Sequence, residues 1–255
     1  MNIFEITFSP TGGTDKISGM IMKEAAGNHK KISLLSNTTD YHAYSFDEED
    51  VCVISVPSYG GRVPDVAVQR ISAMNGNKAR VILVSVYGNR AYDDTLMELK
   101  ETVKKAGFIP IAAIAAIAEH SIMRQYAAGR PDSADEREIR RFAEIIWTKI
   151  QSGEVTNEVK VPGNETYREY HGVPLKPKAG KACNQCGACA TQCPVGAIDS
   201  KNPKITDKYK CISCMRCVSI CPKHARKLNR LMLTVASRKM AKACENRKDN
   251  EFFMN

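Results

Sequence analysis

Eight of the ten cysteines fall between positions 183 and 221 and repeat one spacing twice. The first run is Cys183-x2-Cys186-x2-Cys189-x3-Cys193-Pro194, and the second is Cys211-x2-Cys214-x2-Cys217-x3-Cys221-Pro222. Thiolates at this spacing bind cubane iron–sulfur clusters. Residues three apart in a tight loop turn their side chains to one side, and a more distant cysteine closes the fourth corner. In paired runs the fourth cysteine of each ligates the other cluster. The expected ligand sets are therefore Cys183, Cys186, Cys189 and Cys221 for one [4Fe–4S] cluster, and Cys211, Cys214, Cys217 and Cys193 for the other. Zinc sites take four ligands, usually as two CxxC pairs, and do not call for this doubled run. Disulfides would need an oxidising compartment. The pattern leaves no ligand position open, which favours electron relay over Lewis-acid chemistry.

A second candidate site is the segment Ser9-Pro10-Thr11-Gly12-Gly13-Thr14, which follows an apolar run and leads into a helical stretch. It matches neither GxGxxG nor GxxxxGK[ST], so the dinucleotide and P-loop fingerprints are absent. A hydroxyl- and glycine-rich turn at a helix N-terminus still gathers backbone N–H groups, and the helix dipole favours an anion there. With hydroxyls and no lysine, the loop would hold phosphate by hydrogen bonds alone.

These loops need a frame. Apolar runs rich in β-branched residues occur at Ile3–Phe8, Lys31–Leu35, Val51–Val56, Val81–Val86 and Phe108–Ala118, and amphipathic stretches follow most of them. One helix carries Leu96, Leu99, Val103 and Ala106 on one face and ends at Gly107. Another opens on the capping box Ser133-x-x-Glu136, runs the stripe Ile139, Phe142, Ala143, Ile146 and Ile150, and stops at Gly153. Such alternation predicts a parallel sheet covered on both faces, with ligands at the carboxyl ends of its strands.

The loop at residues 9–14 resembles the phosphate-binding loop of flavodoxins, S/T-x-T-G-x-T after the first strand, and the resemblance extends to two further loops. Pro57-Ser58-Tyr59-Gly60-Gly61-Arg62-Val63-Pro64 follows the third run, and Tyr87-Gly88-Asn89-Arg90-Ala91-Tyr92-Asp93 follows the fourth. The cysteine segment is similar to bacterial two-cluster ferredoxins. As a whole the chain resembles the flavodoxin–ferredoxin fusion proteins of anaerobic bacteria, with YGNRAYDD and AEHS among the matching segments. The resemblance implies a doubly wound five-stranded parallel sheet of order 2-1-3-4-5, a small α+β ferredoxin-like domain and a C-terminal helix. It implies FMN, with Ser9, Thr11, Gly12, Gly13 and Thr14 on the phosphate. Tyr92 would stack on the ring, Gly88 and Asn89 would line it, and Pro57, Ser58, Tyr59, Gly60 and Tyr87 would complete the site. Pro10 departs from the usual pattern because it has no N–H to donate.

Arg90 would lie beside the ring, where a cation stabilises added negative charge. His120, in Glu119-His120-Ser121 after the fifth run, would supply a proton or a hydrogen bond. These two are the candidate catalytic residues. Asp47 to Asp50 reads as a solvated loop and helix cap, and Cys52 as a buried small hydrophobe. The expected division is 1–150 for the FMN domain, 151–180 for a polar linker pinned in part by Tyr167, Tyr170 and Val173, 181–224 for the clusters, and 225–255 for an amphipathic helix and tail. The helix stripe Leu228, Leu231, Met232, Val235, Met240 and Cys244 is expected to clamp the cluster domain onto the flavin domain, with Cys244 a packing residue and not a ligand.

Mean hydropathy is -0.32 and no 18-residue apolar run occurs, which excludes a transmembrane helix. MNIFEITFSP lacks a basic region ahead of an apolar one, so a cytoplasmic location is expected. Charge is uneven: residues 1–150 hold 18 basic and 19 acidic side chains, and residues 151–255 hold 19 and 9. No nucleic-acid motif accompanies the basic half, and each thiolate-bound cluster would subtract about two charges. The expected function is electron transfer between two clusters, FMN and an external redox protein or small redox substrate, without nucleic acid or membrane. A reductase of a small organic substrate or quinone, fed by the clusters, is the alternative.

Overall fold

The structure, a computed structural model, describes residues 1–155 and 158–255. The first strands are β1 (Ile3–Thr7), β2 (His29–Ser33), β3 (Val51–Pro57), β4 (Arg80–Tyr87) and β5 (Ile109–Ile117). They pair in parallel in the order β2-β1-β3-β4-β5. The helices α1 (Gly13–Lys23), α2 (Asp65–Ser72) and α3 (Thr95–Lys105) lie between them, and α4 (Ser133–Ser152) follows β5. Successive residues of a strand face opposite sides. Ile54, Val81 and Leu83 therefore join Ile71, Leu99 and Val103 in one apolar layer, while Val53, Ile82 and Val84 join Ile17, Ile139 and Phe142 in the other. This explains why β3 to β5 read as unbroken apolar runs: both faces are covered.

The capping box of α4 lies one residue earlier than the sequence suggested. Asp132 is the N-cap and Asp135 the reciprocal partner, so Ser133 and Glu136 do not pair. Asp135 also binds the buried Arg130 guanidinium, and this fixes the register. Gly153 ends the helix in the left-handed region (φ 73°), as expected. Asp50 is not solvated: it is buried and accepts the backbone N–H groups of Asn2 and Asp47. Cys52 is fully buried.

The sheet has a sixth strand beyond the five expected. Residues 178–227 hold the short ribbon β6 (Lys178–Ala179) and β7 (Arg226–Lys227) and the single-turn helices α5 (Ala188–Thr191) and α6 (Arg216–Ser219). Helix α7 (Arg230–Cys244) follows, and then β8 (Glu251–Met254) returns to pair antiparallel with β5. Without it β5 would be a bare edge. Phe252 stacks on Phe142 at 5.2 Å while Phe253 packs on the opposite layer, so two adjacent aromatics cover both faces. Asn250 locks the strand by accepting the Ile117 N–H at 2.9 Å and donating to Asp135 and Glu138. Among the described residues no helix is long and apolar enough to cross a membrane.

Only part of the α7 stripe packs. Leu231, Met232 and Val235 remain exposed, whereas Met240 reaches the cleft described below and Cys244 is buried. The helix is tied at its middle, where the Tyr126 hydroxyl donates to the Ser237 carbonyl at 2.7 Å.

Candidate functional site

The two cysteine runs fold alike. In each, the residue before the second cysteine and the residue after it have positive φ: Gln185 (59°) and Gly187 (78°), then Ser213 (55°) and Met215 (62°). A short helix follows (α5, α6), and a left-handed residue comes three positions after the fourth cysteine, at Gly196 and His224. One residue on, a backbone N–H donates to that cysteine's sulfur: Ala197 to Cys193 Sγ and Ala225 to Cys221 Sγ, both at 3.3 Å. The chain reversals turn the first three thiols of a run inward together.

Two small cavities result. One is bordered by Cys183, Cys186, Cys189 and Cys221, the other by Cys193, Cys211, Cys214 and Cys217. These are the crossed sets expected from the spacing. Among the described residues no three His, Cys, Asp or Glu side chains close on a point suited to a single metal ion. Burial pushes the free thiols of Cys214 and Cys217 up to about 12, so their thiolate forms require a compensating cation. Burial also acts on Cys221, but the N–H groups of Ala225, Lys223 and Arg226 outweigh it and hold that thiol below its usual value. Arg226 is buried, bonded to the neutral Thr206 hydroxyl and the Pro177 and Pro203 carbonyls, and its Nε has no partner. No carboxylate among the described residues balances it. Anionic thiolate-bound iron fits both the donor set and this buried charge.

A cleft of about 330 Å³ opens at the carboxyl ends of β1, β3, β4 and β5, where a doubly wound sheet binds ligands. Thr11, Gly13 and Thr14 line the cleft, and so do Pro57, Ser58, Tyr59, Gly60, Tyr87, Gly88, Arg90 and His120. Gly12 precedes α1 in the left-handed region (φ 92°). Among the described residues no acceptor meets the backbone N–H groups of Thr11, Gly12, Gly13 or Thr14. Four free donors beside a helix N-terminus suit a phosphate. Gly88 is required by close packing, since a Cβ there would stand 2.7 Å from His120.

His120 Nδ1 accepts the N–H groups of Ile122 and Met123 at 3.1 and 3.2 Å. The proton of the neutral ring therefore sits on Nε2. Burial lowers the His120 pKa and the nearby Arg90 charge lowers it further, so the ring is a neutral hydrogen-bond donor at pH 7. Arg90 pairs with Asp93, which also binds Arg168 at 2.8 Å. Two guanidinium groups share one carboxylate, leaving this end of the cleft positive.

Three residues expected at the cofactor are engaged elsewhere. Ser9 is buried and its Oγ accepts the Asp15 N–H in the first turn of α1 at 2.9 Å. Asn89 donates to the carbonyls of Cys244 and Asn246 at 2.9 Å and holds the tail. Tyr92 is buried against Tyr87, with its hydroxyl 2.9 Å from Glu251 of β8. It does not border the cleft. The aromatic rings that do are Tyr59, Tyr87 and Tyr170, of which Tyr170 was expected only as a linker contact.

Residues 158–177 form a strap over the cleft. Asp94 accepts the N–H groups of Asn164 and Arg168, both at 2.8 Å. Burial alone would raise its pKa, but these hydrogen bonds hold it below the usual carboxylate value. Arg62 adds a clamp: it chelates Glu98 at 2.6 and 2.8 Å, donates to the Arg168 carbonyl and stacks on Tyr167. The strap brings Arg168, Tyr170, Val173 and Leu175 to the cleft, followed by Ile212 and Ser213 of the cysteine module.

Residues 182–226 match the family described as the 4Fe-4S dicluster domain. The ferredoxin-like protein in the nif region of Sinorhizobium fredii (strain NBRC 101917 / NGR234) is 43% identical over 47 residues, or 16% of this chain and 73% of that protein. A flavodoxin of Streptococcus pneumonia TIGR4 aligns over 58% of this chain and 99% of its own, at 14% identity and a TM-score of 0.44. A flavodoxin from the domain Archaea aligns over 59% and 99%, at 12% identity and a TM-score of 0.41. These superpositions are loose, and the fold assignment rests on the strand order. The strand order is that of a flavodoxin-like doubly wound sheet, and the cysteine module is that of an iron–sulfur ferredoxin. Through residues 182–226 the chain belongs to the 4Fe-4S dicluster ferredoxins, and this module follows a sheet domain of flavodoxin-like fold.

Proposed function

We propose that this chain relays electrons between two [4Fe–4S] clusters and a bound FMN, and to or from an external redox partner. One observation carries the reading: Ile212 and Ser213 border both the cleft and the cavity of Cys193, Cys211, Cys214 and Cys217. A wall of two residues separates the two sites. The other cysteine set includes the exposed Cys186 and faces outward. FMN supplies one- and two-electron chemistry when bound, and each cluster exchanges one electron.

The residues divide the work. The N–H groups of Thr11 to Thr14 would hold the phosphate, and Pro57 to Gly60 with Tyr87 and Gly88 would flank the ring. Arg90 and Arg168, sharing Asp93, favour negative charge at the ring end. His120 donates a hydrogen bond from Nε2. The strap and the Ile212–Ser213 wall exclude water and keep the donor site at a fixed distance, so an intramolecular step replaces a diffusional encounter.

A second reading, reduction of a small organic substrate or quinone at the same cleft, draws on space. A polar cavity of about 390 Å³ adjoins the cleft through Thr11, Gly13, Glu119 and Ser121. Anaerobic mixing of the fully loaded protein with NADH, then NADPH, separates the two. The relay reading expects no bleaching of the flavin band by either nucleotide, with reduction by dithionite intact. Rapid bleaching would mean that the cleft accepts hydride directly, and the reductase reading would replace it.

A further inference from the structure

The cysteine module carries a charge that nothing on its own surface balances. Residues 178–230 contain eleven Lys and Arg side chains and two acidic ones, Asp199 and Asp207. Both carboxylates are spent on local turns. Asp199 accepts the N–H groups of Lys201 and Asn202, and Asp207 those of Tyr209 and Lys210. Among the described residues none of Lys178, Lys181, Lys201, Lys204, Lys208, Lys210, Lys223 or Lys227 forms an ion pair, although such pairs are frequent on the sheet domain. Lys178 and Lys227 even stand directly opposite each other across the β6–β7 ribbon. Like charges so placed are destabilising. Two thiolate-bound clusters at about -2 each would still leave the module near +5.

The same surface exposes apolar anchors. Tyr209 is 88% exposed and Ile205 56%, on the loop that joins the two cysteine runs. The loop touches both cysteine cavities, through Pro203 on the outward set and Thr206 on the inner one. An exposed tyrosine and isoleucine ringed by unpaired lysines have the composition of a protein-docking patch: an aromatic anchor inside a charged rim.

We infer that this face docks an acidic one-electron carrier protein, which exchanges electrons through the outward cysteine set. The inference rests on the relay reading and names its partner class. Charge complementarity selects an acidic partner and speeds its encounter. The position of the patch beside the exposed Cys186 favours a redox protein over a nucleic acid, which has no electron to deliver. The transfer balances as one electron lost by the carrier and one gained by the chain.

The test uses the fully loaded protein and, as probe, a small acidic two-cluster bacterial ferredoxin reduced beforehand. Flavin bleaching is followed anaerobically as ionic strength rises from about 0.02 to about 0.3 M. The bimolecular rate should fall about tenfold or more, and a K201E/K204E/K208E variant should lose a similar factor at low salt. Tyr209→Ala should slow the reaction without altering its salt dependence. Reduction of the same variants by the small dye methyl viologen should be unchanged, which shows that the fold and the internal path are intact. Salt-independent rates, or a triple variant that reacts as fast as the parent, would overturn the docking assignment. Tight retention of duplex DNA by the parent and not by the triple variant, with carrier rates unaltered, would overturn it in favour of nucleic acid. If the dye reduces the clusters and never the flavin, the relay reading itself fails, independently of the surface.

Discussion

The sheet domain buries two continuous apolar layers, one on each face of its strands, whereas the core of the cysteine module amounts to Cys189, Cys193, Ala197 and Ile198. Two of those four are ligands in the proposed sets. Its helices are single turns and its ribbon has two residues per strand, too little to stand alone by hydrophobic burial. One half of the molecule is organised by packing and the other by what its thiolates hold. Damage to packing and damage to the iron sites should therefore appear in different halves.

The largest effect should come from removing iron. Chelation under reducing, anaerobic conditions should unfold residues 178–227 and leave the parallel sheet folded, so far-ultraviolet circular dichroism keeps its helical signal while the visible cluster absorbance vanishes. Simultaneous loss of both signals would show that the halves do not differ in this way. Ile54→Ala cuts the other half. Ile54 is fully buried in the centre of β3, so the substitution should cost about 2–5 kcal/mol in denaturant unfolding. Iron content should not change.

The strap joins the two regimes and should respond to acid. Asp94 protonates at lower pH in the folded protein than in the unfolded chain. Its contribution is therefore fully present above the ordinary carboxylate value of about 3.9 and is lost as pH falls below that through the folded value. Asp94→Ala should release the strap at neutral pH at a cost of about 1–3 kcal/mol and weaken flavin retention, as read by the flavin released on gel filtration. Unchanged retention would show that the strap does not close the cleft.

Arg226→Met asks whether buried charge is matched to cluster charge. Removing this cation, which lies buried beside the thiols without a carboxylate among the described residues, should lower the cluster midpoint potentials by about 60 mV or more, the value of one tenfold step in a one-electron equilibrium. An unmoved potential would assign Arg226 to packing. Tyr92→Phe should be the mildest change, about 0.5–1.5 kcal/mol from loss of the Glu251 hydrogen bond, with an unaltered flavin spectrum. A shifted spectrum would return Tyr92 to the cofactor.

The same contrast governs what could be read without coordinates. The cysteine sets are legible because ligand spacing is local, and even the exchange of the fourth ligand follows from the doubled pattern. The strands and the anion loop are also locally legible, from apolar runs and a glycine turn, whereas the strand order comes from the flavodoxin resemblance and not from the runs themselves. What escaped depends on long-range partners. Tyr92 and Asn89 carry flavodoxin-like spacing, yet their bonding partners lie more than 150 residues away in the tail. The strand Glu251–Met254 is too short to announce itself and exists because β5 offers an open edge. The cap of α4 fits two registers on paper, and only Arg130 and Asn250, converging on Asp135, choose between them. The stripe on α7 is real, but half of it stays exposed.

In the proposed relay, electrons reach the cleft through the inner cysteine set, across Ile212 and Ser213. Stopped-flow reduction of the loaded protein by a one-electron donor tests it, with cluster and flavin absorbance followed together. A relay gives cluster bleaching whose rate rises with donor concentration, followed by flavin bleaching at a rate that does not. Flavin bleaching that tracks donor concentration from the outset, and runs equally fast in protein stripped of its iron, would contradict it.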